Sequence, residues 1–214
     1  GILEHKNKNY LAAKKIYLEI LKDKPDHPDA SHNLSILYIE ENNLEEAEKF
    51  IYQCINNKFA IAQYFLTASK LFLMKNNFDK SLEMVEKAIE ISNDKEKLKS
   101  FYQKGKIFKI INDDDNALFY FKKCLDIEPK NSIILNSYGV ILCKKDKYAE
   151  SIPFFKLAIQ YSPEFFDGHV NIGLAFQKTN MPLEALDSYK NAEKINPDNL
   201  MLNINIGSLY QNIR

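Results

Sequence analysis

Gly105, Gly139, Gly173 and Gly207 follow one another at intervals of 34 residues, and Pro129, Pro163 and Pro197 keep the same step. A period of that length marks stacked supersecondary units, because each unit can bury its apolar face only against a neighbour. The 214-residue chain is therefore read as a linear series. Within residues 166–199, apolar residues at spacings of three and four predict two amphipathic helices. The first carries His169, Ile172, Gly173 and Phe176, and the second carries Ala185, Tyr189 and Ala192. Asn180-Met181-Pro182 divides them, since proline suits the first turn of a helix and not its interior. Pro197 stops the second helix. Glycine costs about 1 kcal/mol in a helix relative to alanine. Gly173 therefore predicts a close approach of the paired helix, with Ala185 and Ala192 at the same crossing.

The same places are filled one unit earlier by Leu135, Tyr138, Gly139, Leu142, Ser151, Phe155, Ala158 and Pro163. One unit earlier still they hold Phe101, Gly105, Phe108, Ala117, Phe121, Cys124 and Pro129. The expected units are 28–61, 62–97, 98–131, 132–165 and 166–199, in one array spanning 1–214. Residues 1–27 form a partial unit, with Gly1 at a first-helix glycine place, and 200–214 form one more first helix. Both ends read as cut from a longer array. Unit 62–97 has two extra residues near Asn93 to Lys97, which predict a longer surface turn. Asn42, Asn76, Asn112 and Asn180 all fall just after a first helix. They predict left-handed residues closing it, a conformation asparagine tolerates better than most.

Composition narrows the function classes. Lys plus Arg and Asp plus Glu are 29 each, so the net charge is zero. Nucleic-acid binding driven by bulk charge is thereby excluded. No run is long enough to cross a bilayer, so no membrane insertion is expected. Cys54, Cys124 and Cys143 lack the CxxC spacing of a zinc site and are expected as buried thiols of a cytoplasmic protein. His5, His27, His32 and His169 make no HExxH or one-turn pair, and His169 is expected in the core. Asp113-Asp114-Asp115-Asn116 lacks the glycine and glutamate of a calcium loop and reads as a helix cap. Asn33-Leu34-Ser35 spells a glycosylation acceptor inside a predicted helix. There is no phosphate loop or nucleophile elbow, so neither catalytic residues nor cofactors are expected.

The order of a large residue, Leu-Gly, an aromatic, then Ala, an aromatic, Ala and Pro resembles the tetratricopeptide repeat (TPR). Lys104 in place of leucine and Ser151 in place of alanine depart from it. The resemblance implies an all-α, right-handed α-solenoid of stacked antiparallel helix pairs. It also implies a non-catalytic protein–protein interaction scaffold that binds an extended or helical segment in a concave groove lined by first helices. Groove-facing places are the second, fifth, sixth, ninth, twelfth and thirteenth of each unit. The sixth carries Asn33, Thr67, Gln103, Ser137, Asn171 and Asn205, and Asn136 takes a fifth place. This run resembles the asparagine ladder of the O-linked N-acetylglucosamine transferase repeats, which holds an extended peptide by its backbone. A side-chain amide offers both the donor and the acceptor this needs. The ladder is interrupted at residues 67, 103 and 137. Lys70 and Lys106 take ninth places, with Lys99, Lys109, Lys144 and Tyr102 nearby, so an acidic or phosphorylated segment is an expected partner. Two alternatives stand beside this reading. The chain could be the substrate-selecting array of a larger enzyme such as a protein O-glycosyltransferase, or it could self-associate through its end faces.

Overall fold

The computed structural model describes residues 1–94 and 96–212, and all regular structure among them is α-helical. Lys95, inside the expected longer turn, and residues 213–214, at the end of the last expected helix, lie outside the described residues. The chain forms two compact units, Gly1–Ile107 and Phe108–Arg214. Unit 1 holds α1 (Ile2–Lys6), α2 (Tyr10–Asp23), α3 (Pro28–Glu40), α4 (Leu44–Ile55), α5 (Ala62–Met74) and α6 (Phe78–Ile91). The division falls within α7 (Lys97–Ile110). Unit 2 holds α8 (Asp114–Ile127), α9 (Ser132–Lys144), α10 (Tyr148–Tyr161), α11 (Phe166–Lys178), α12 (Pro182–Ile195) and α13 (Leu200–Asn212).

In unit 1, α3 packs on α4 and α5 on α6; in unit 2, α9 packs on α10 and α11 on α12. Short connections make these pairs antiparallel hairpins. Burial is distributed along each unit. Ala13, Tyr17, Leu34 and Leu37 form one cluster, and Ile51, Cys54, Ala68, Leu71 and Phe72 another. In unit 2, Phe155, Phe176, Ala185, Tyr189 and Leu202 form a third. Such layered burial stabilises each helix pair through the pair beside it.

Gly139 and Gly173 admit aromatic rings. A Cβ built on Gly173 would lie 2.4 Å from the ring of Tyr189, and one on Gly139 would lie 2.6 Å from that of Phe155. The close approach read from the sequence is thus ring to backbone, with Ala185 and Ala192 buried to either side of Tyr189. Gly1 meets Tyr17 in the same way, at 2.5 Å, whereas Gly207 has nothing within 4 Å.

The corners between paired helices follow one backbone plan. Asn42, Asn76, Asn112 and Asn180 have φ of 56°, 56°, 62° and 58°, the left-handed values expected of them. Lys8 (60°) and Asp146 (57°) take equivalent corners. The next residue's N–H then reaches back to a carbonyl five residues earlier, as from Asn43 to Tyr38 and from Asn77 to Phe72, both at 2.8 Å. This is the Schellman closure, and it satisfies carbonyls the helix end leaves open. Asn43, Asn77 and Asp113 then cap the following helix with their side chains. In the longer turn Asn93 and Glu96 cap each other's N–H, the reciprocal arrangement that starts a helix firmly. Pro153 sits inside α10, where the periodicity gives no reason to expect it.

Candidate functional site

In unit 1 the expected face lies on the first helices α3, α5 and α7. Asn33 donates its side-chain amide to the Asp29 carbonyl at 2.8 Å, one turn back. Thr67 is buried, donating its hydroxyl to the Gln63 carbonyl and lying 2.8 Å from His32 Nε2. Gln103 has its Nε2 buried without a partner. None of these three polar groups is a free, exposed ladder rung. The lysines differ. Lys70 and Lys99 are exposed, and Lys106 is half-buried with Nζ 5.3 Å above the Tyr102 ring. Burial first, then the charge of Lys70, holds the Lys106 ammonium below its ordinary range. The structure thus sets the Lys106 ammonium over the Tyr102 ring.

In unit 2 the face lies on α9, α11 and α13. Asn171 donates to Asn136 Oδ1 at 2.9 Å, joining α11 to α9. That single bond orients both amides. It leaves the Asn136 amide N–H₂ and the Asn171 carbonyl oxygen to present one donor and one acceptor. Ser137 bonds its own helix, to the Ile133 carbonyl at 2.7 Å. Asn205 lies half-buried on α13, and Lys109 is exposed. Lys144 is held 2.8 Å from both Asn112 and Asp114, so its charge is already engaged at a corner.

The remaining polar residues are structural. His169 is buried and its Nε2 lies 2.8 Å from the Pro163 carbonyl. His32 is buried as well, and desolvation lowers its pKa to about 4 against the favourable charge of Asp29. Cys54 and Cys124 are buried, and burial raises both thiols to about 12, far from a reactive thiolate. Cys143 is only half-buried and donates to Ser151 Oγ at 3.2 Å, so it departs from full burial. Asp113 caps α8 by accepting from the Asn116 N–H at 3.1 Å, which accounts for the acidic run. Asn33 and Ser35 of the acceptor triplet both lie in α3, with Ser35 fully buried.

The pairings His32–Thr67 and Asn136–Asn171 are absent from the expected ladder, although the sequence carries a signal for them. Both join residues 35 apart, the fifth place of one unit to the sixth place of the next. The same rule sets Leu66 before Gln103 and Val170 before Asn205. Leu66 offers no side-chain acceptor, which explains why the Gln103 nitrogen is left unpaired.

Models of the tetratricopeptide repeat match residues 5–53 and 98–131. Two solved structures share the fold. The Pseudomonas aeruginosa PilF protein superposes with a TM-score of 0.83 at 14% identity, over 97% of this chain and 94% of its own. YrrB, described as a TPR protein with an unusual peptide-binding site, superposes at 0.65 and 19% identity, over 90% of this chain and 97% of its own. This chain carries tetratricopeptide repeats. Its fold class is the all-α solenoid of stacked helix pairs, and repeats of this family serve as protein-binding scaffolds. Among curated relatives, the BBSome complex member BBS4 of Bos taurus is 22% identical over 203 residues, covering 93% of this TPR chain and 38% of the relative. The human protein O-mannosyl-transferase TMTC1 is 22% identical over 166 residues, covering 77% of this chain and 19% of the relative. The TPR chain therefore spans well under half the length of these relatives. Among its described residues no helix is long and apolar enough to cross a membrane.

Proposed function

We propose that this TPR chain is a non-catalytic interaction scaffold that holds an extended segment of another protein along its first helices. The observation that carries the reading is the Asn136–Asn171 pair in unit 2. Two amides fixed by one mutual bond keep a donor and an acceptor in place, which matches the N–H and C=O of a backbone in extended conformation. Recognition of this kind holds a strand without dictating its side chains. The peptide-binding site named for YrrB supports the reading at the level of a shared fold. Lys144 is left out of the proposed surface because the α8 corner already holds it.

The test is selection of a random 12-residue peptide library on the immobilised chain. Enriched peptides are expected to lose most of their binding to Asn136→Ala/Asn171→Ala, with helicity retained by circular dichroism. A library that yields no peptide dependent on these two residues overturns the proposal.

A second reading is favoured by the match to TMTC1, which covers only 19% of that transferase. In it, this array selects substrates for a catalytic region elsewhere in a longer chain. Assay of the full-length protein for O-mannosyl transfer decides between them, since a pure scaffold shows none.

A further inference from the structure

Charge is unevenly spread over the first helices. In unit 1, α5 carries Lys70 and α7 carries Lys97, Lys99, Lys104 and Lys106. In unit 2, residues 132–143 of α9, 168–177 of α11 and 200–212 of α13 include no Asp, Glu, Lys or Arg. The one histidine among them, His169, is buried beside the Pro163 carbonyl. These three helices are neighbours, since α11 packs on both α9 and α13. Burial alone does not account for their neutrality, because Ile133 and Ile204 are exposed.

Two side-chain bonds cross between these helices and fix polar groups on them. Asn171 of α11 donates to Asn136 of α9 at 2.9 Å. Further along α11, Gln177 donates to Ser208 of α13 at 3.3 Å while accepting from the Tyr189 hydroxyl at 3.1 Å. Six residues of helix separate Asn171 from Gln177, about 9 Å along the axis. Leu174 stands midway, three residues from each, and side chains three apart on a helix share a face. It is half-buried. Val140, one turn after Asn136, and Ile204, one turn before Ser208, carry the apolar strip on to the flanking helices.

The asparagine pair reads a backbone and leaves side chains unread; the strip beside it reads them. A carboxylate or ammonium seated against Leu174 gives up water and meets no opposite charge on any of the three stretches. An aliphatic side chain gains there in proportion to the apolar area it covers. In an extended segment every second side chain points the same way, about 7 Å apart.

We infer that the first-helix face of unit 2 selects an uncharged extended segment, seating an aliphatic side chain over Leu174 between the Asn136–Asn171 and Gln177–Ser208 bonds. The inference rests on the scaffold reading above and adds the chemistry of the partner: unit 2 selects apolar side chains and rejects charged ones.

The probe is a fluorescein-labelled ten-residue peptide of Ser and Thr with Leu at positions 4 and 6. Its counterparts carry Glu, or Lys, at both positions, and binding to the whole chain is read by fluorescence anisotropy. The Leu peptide is expected to bind about tenfold more tightly than either counterpart. Leu174→Gln should bring the three peptides within about twofold, with circular dichroism unchanged. Ile204→Lys alters an exposed residue and should weaken the Leu peptide about fivefold, which tests the strip even where Leu174→Gln fails to fold. Leu183→Gln removes an exposed leucine from α12 and should leave the preference intact. Equal binding of the three peptides, no binding of the Leu peptide, or equal losses in the Leu174 and Leu183 variants overturns the inference. A dimer seen by sedimentation and lost in Ile204→Lys assigns the strip to a second copy and overturns it too. Library peptides that depend on Asn136 and Asn171 but carry charged residues throughout overturn it while leaving the scaffold reading standing.

Discussion

The α3–α5 contact of unit 1 and the α9–α11 contact of unit 2 occupy the same repeat places with opposite chemistry. His32 meets Thr67 in one, and Asn136 meets Asn171 in the other, each across 35 residues. The first contact is buried and contains a titratable ring. The second is half-buried and contains two amides that no ordinary pH charges. The difference teaches that a polar rung fastens neighbouring first helices in either case, and that only its residual hydrogen-bonding capacity decides what else it can do. The histidine rung is spent on the fold. The asparagine rung keeps a donor and an acceptor in hand.

Acid provides the largest break between the two. Unfolded, His32 takes up a proton below its ordinary value of 6.5; folded, it stays neutral down to about 4. Its folded pKa is depressed, so the stability from the buried neutral ring is complete above about 6.5 and falls as pH drops towards about 4. The loss over that window is about 3 kcal/mol, because each tenfold drop in proton affinity is worth about 1.4 kcal/mol. Denaturant titrations at pH 7 and pH 4.5 should show the wild type losing about 2 kcal/mol more than His32→Asn. Equal losses would show that the rung does not control the acid response.

Next in size is the ring-filled notch. Gly173→Ala forces a Cβ to within 2.4 Å of the fully buried Tyr189 ring and should cost about 2 kcal/mol in thermal unfolding. Gly207→Ala meets nothing and should gain up to about 1 kcal/mol from helix propensity. A common sign for the two substitutions would mean that the glycines do different work from that assigned here.

The smallest effect sharpens the rung itself. Gln103→Leu removes a buried nitrogen without a partner and should stabilise unit 1 by about 1 kcal/mol, read as a higher midpoint in urea. A lower midpoint would reveal a bond that the amide makes in solution.

Periodicity exposes most of this architecture. The glycine and proline steps, and asparagines after first helices, state helix pairing and corner conformation directly, because each requirement acts within one turn. Lys8 and Asp146 carry no such mark, since their corners are closed by backbone bonds that any residue tolerating positive φ can make. The face residues are harder to read. A repeat place says where a side chain begins, but its partner comes from the next unit, one place out of step. Hence Thr67 is legible as polar and not as the acceptor or donor for His32, and Lys144 as basic and not as tethered to Asp114.

The six left-handed corners among the described residues separate two things that evolution can tune independently. None carries glycine, although glycine would relieve the crowding that a side chain meets there. Thermal resilience therefore remains in reserve at positions other than the asparagine pair. A descendant of this sequence could be hardened at its corners and retargeted on its first helices without one change interfering with the other.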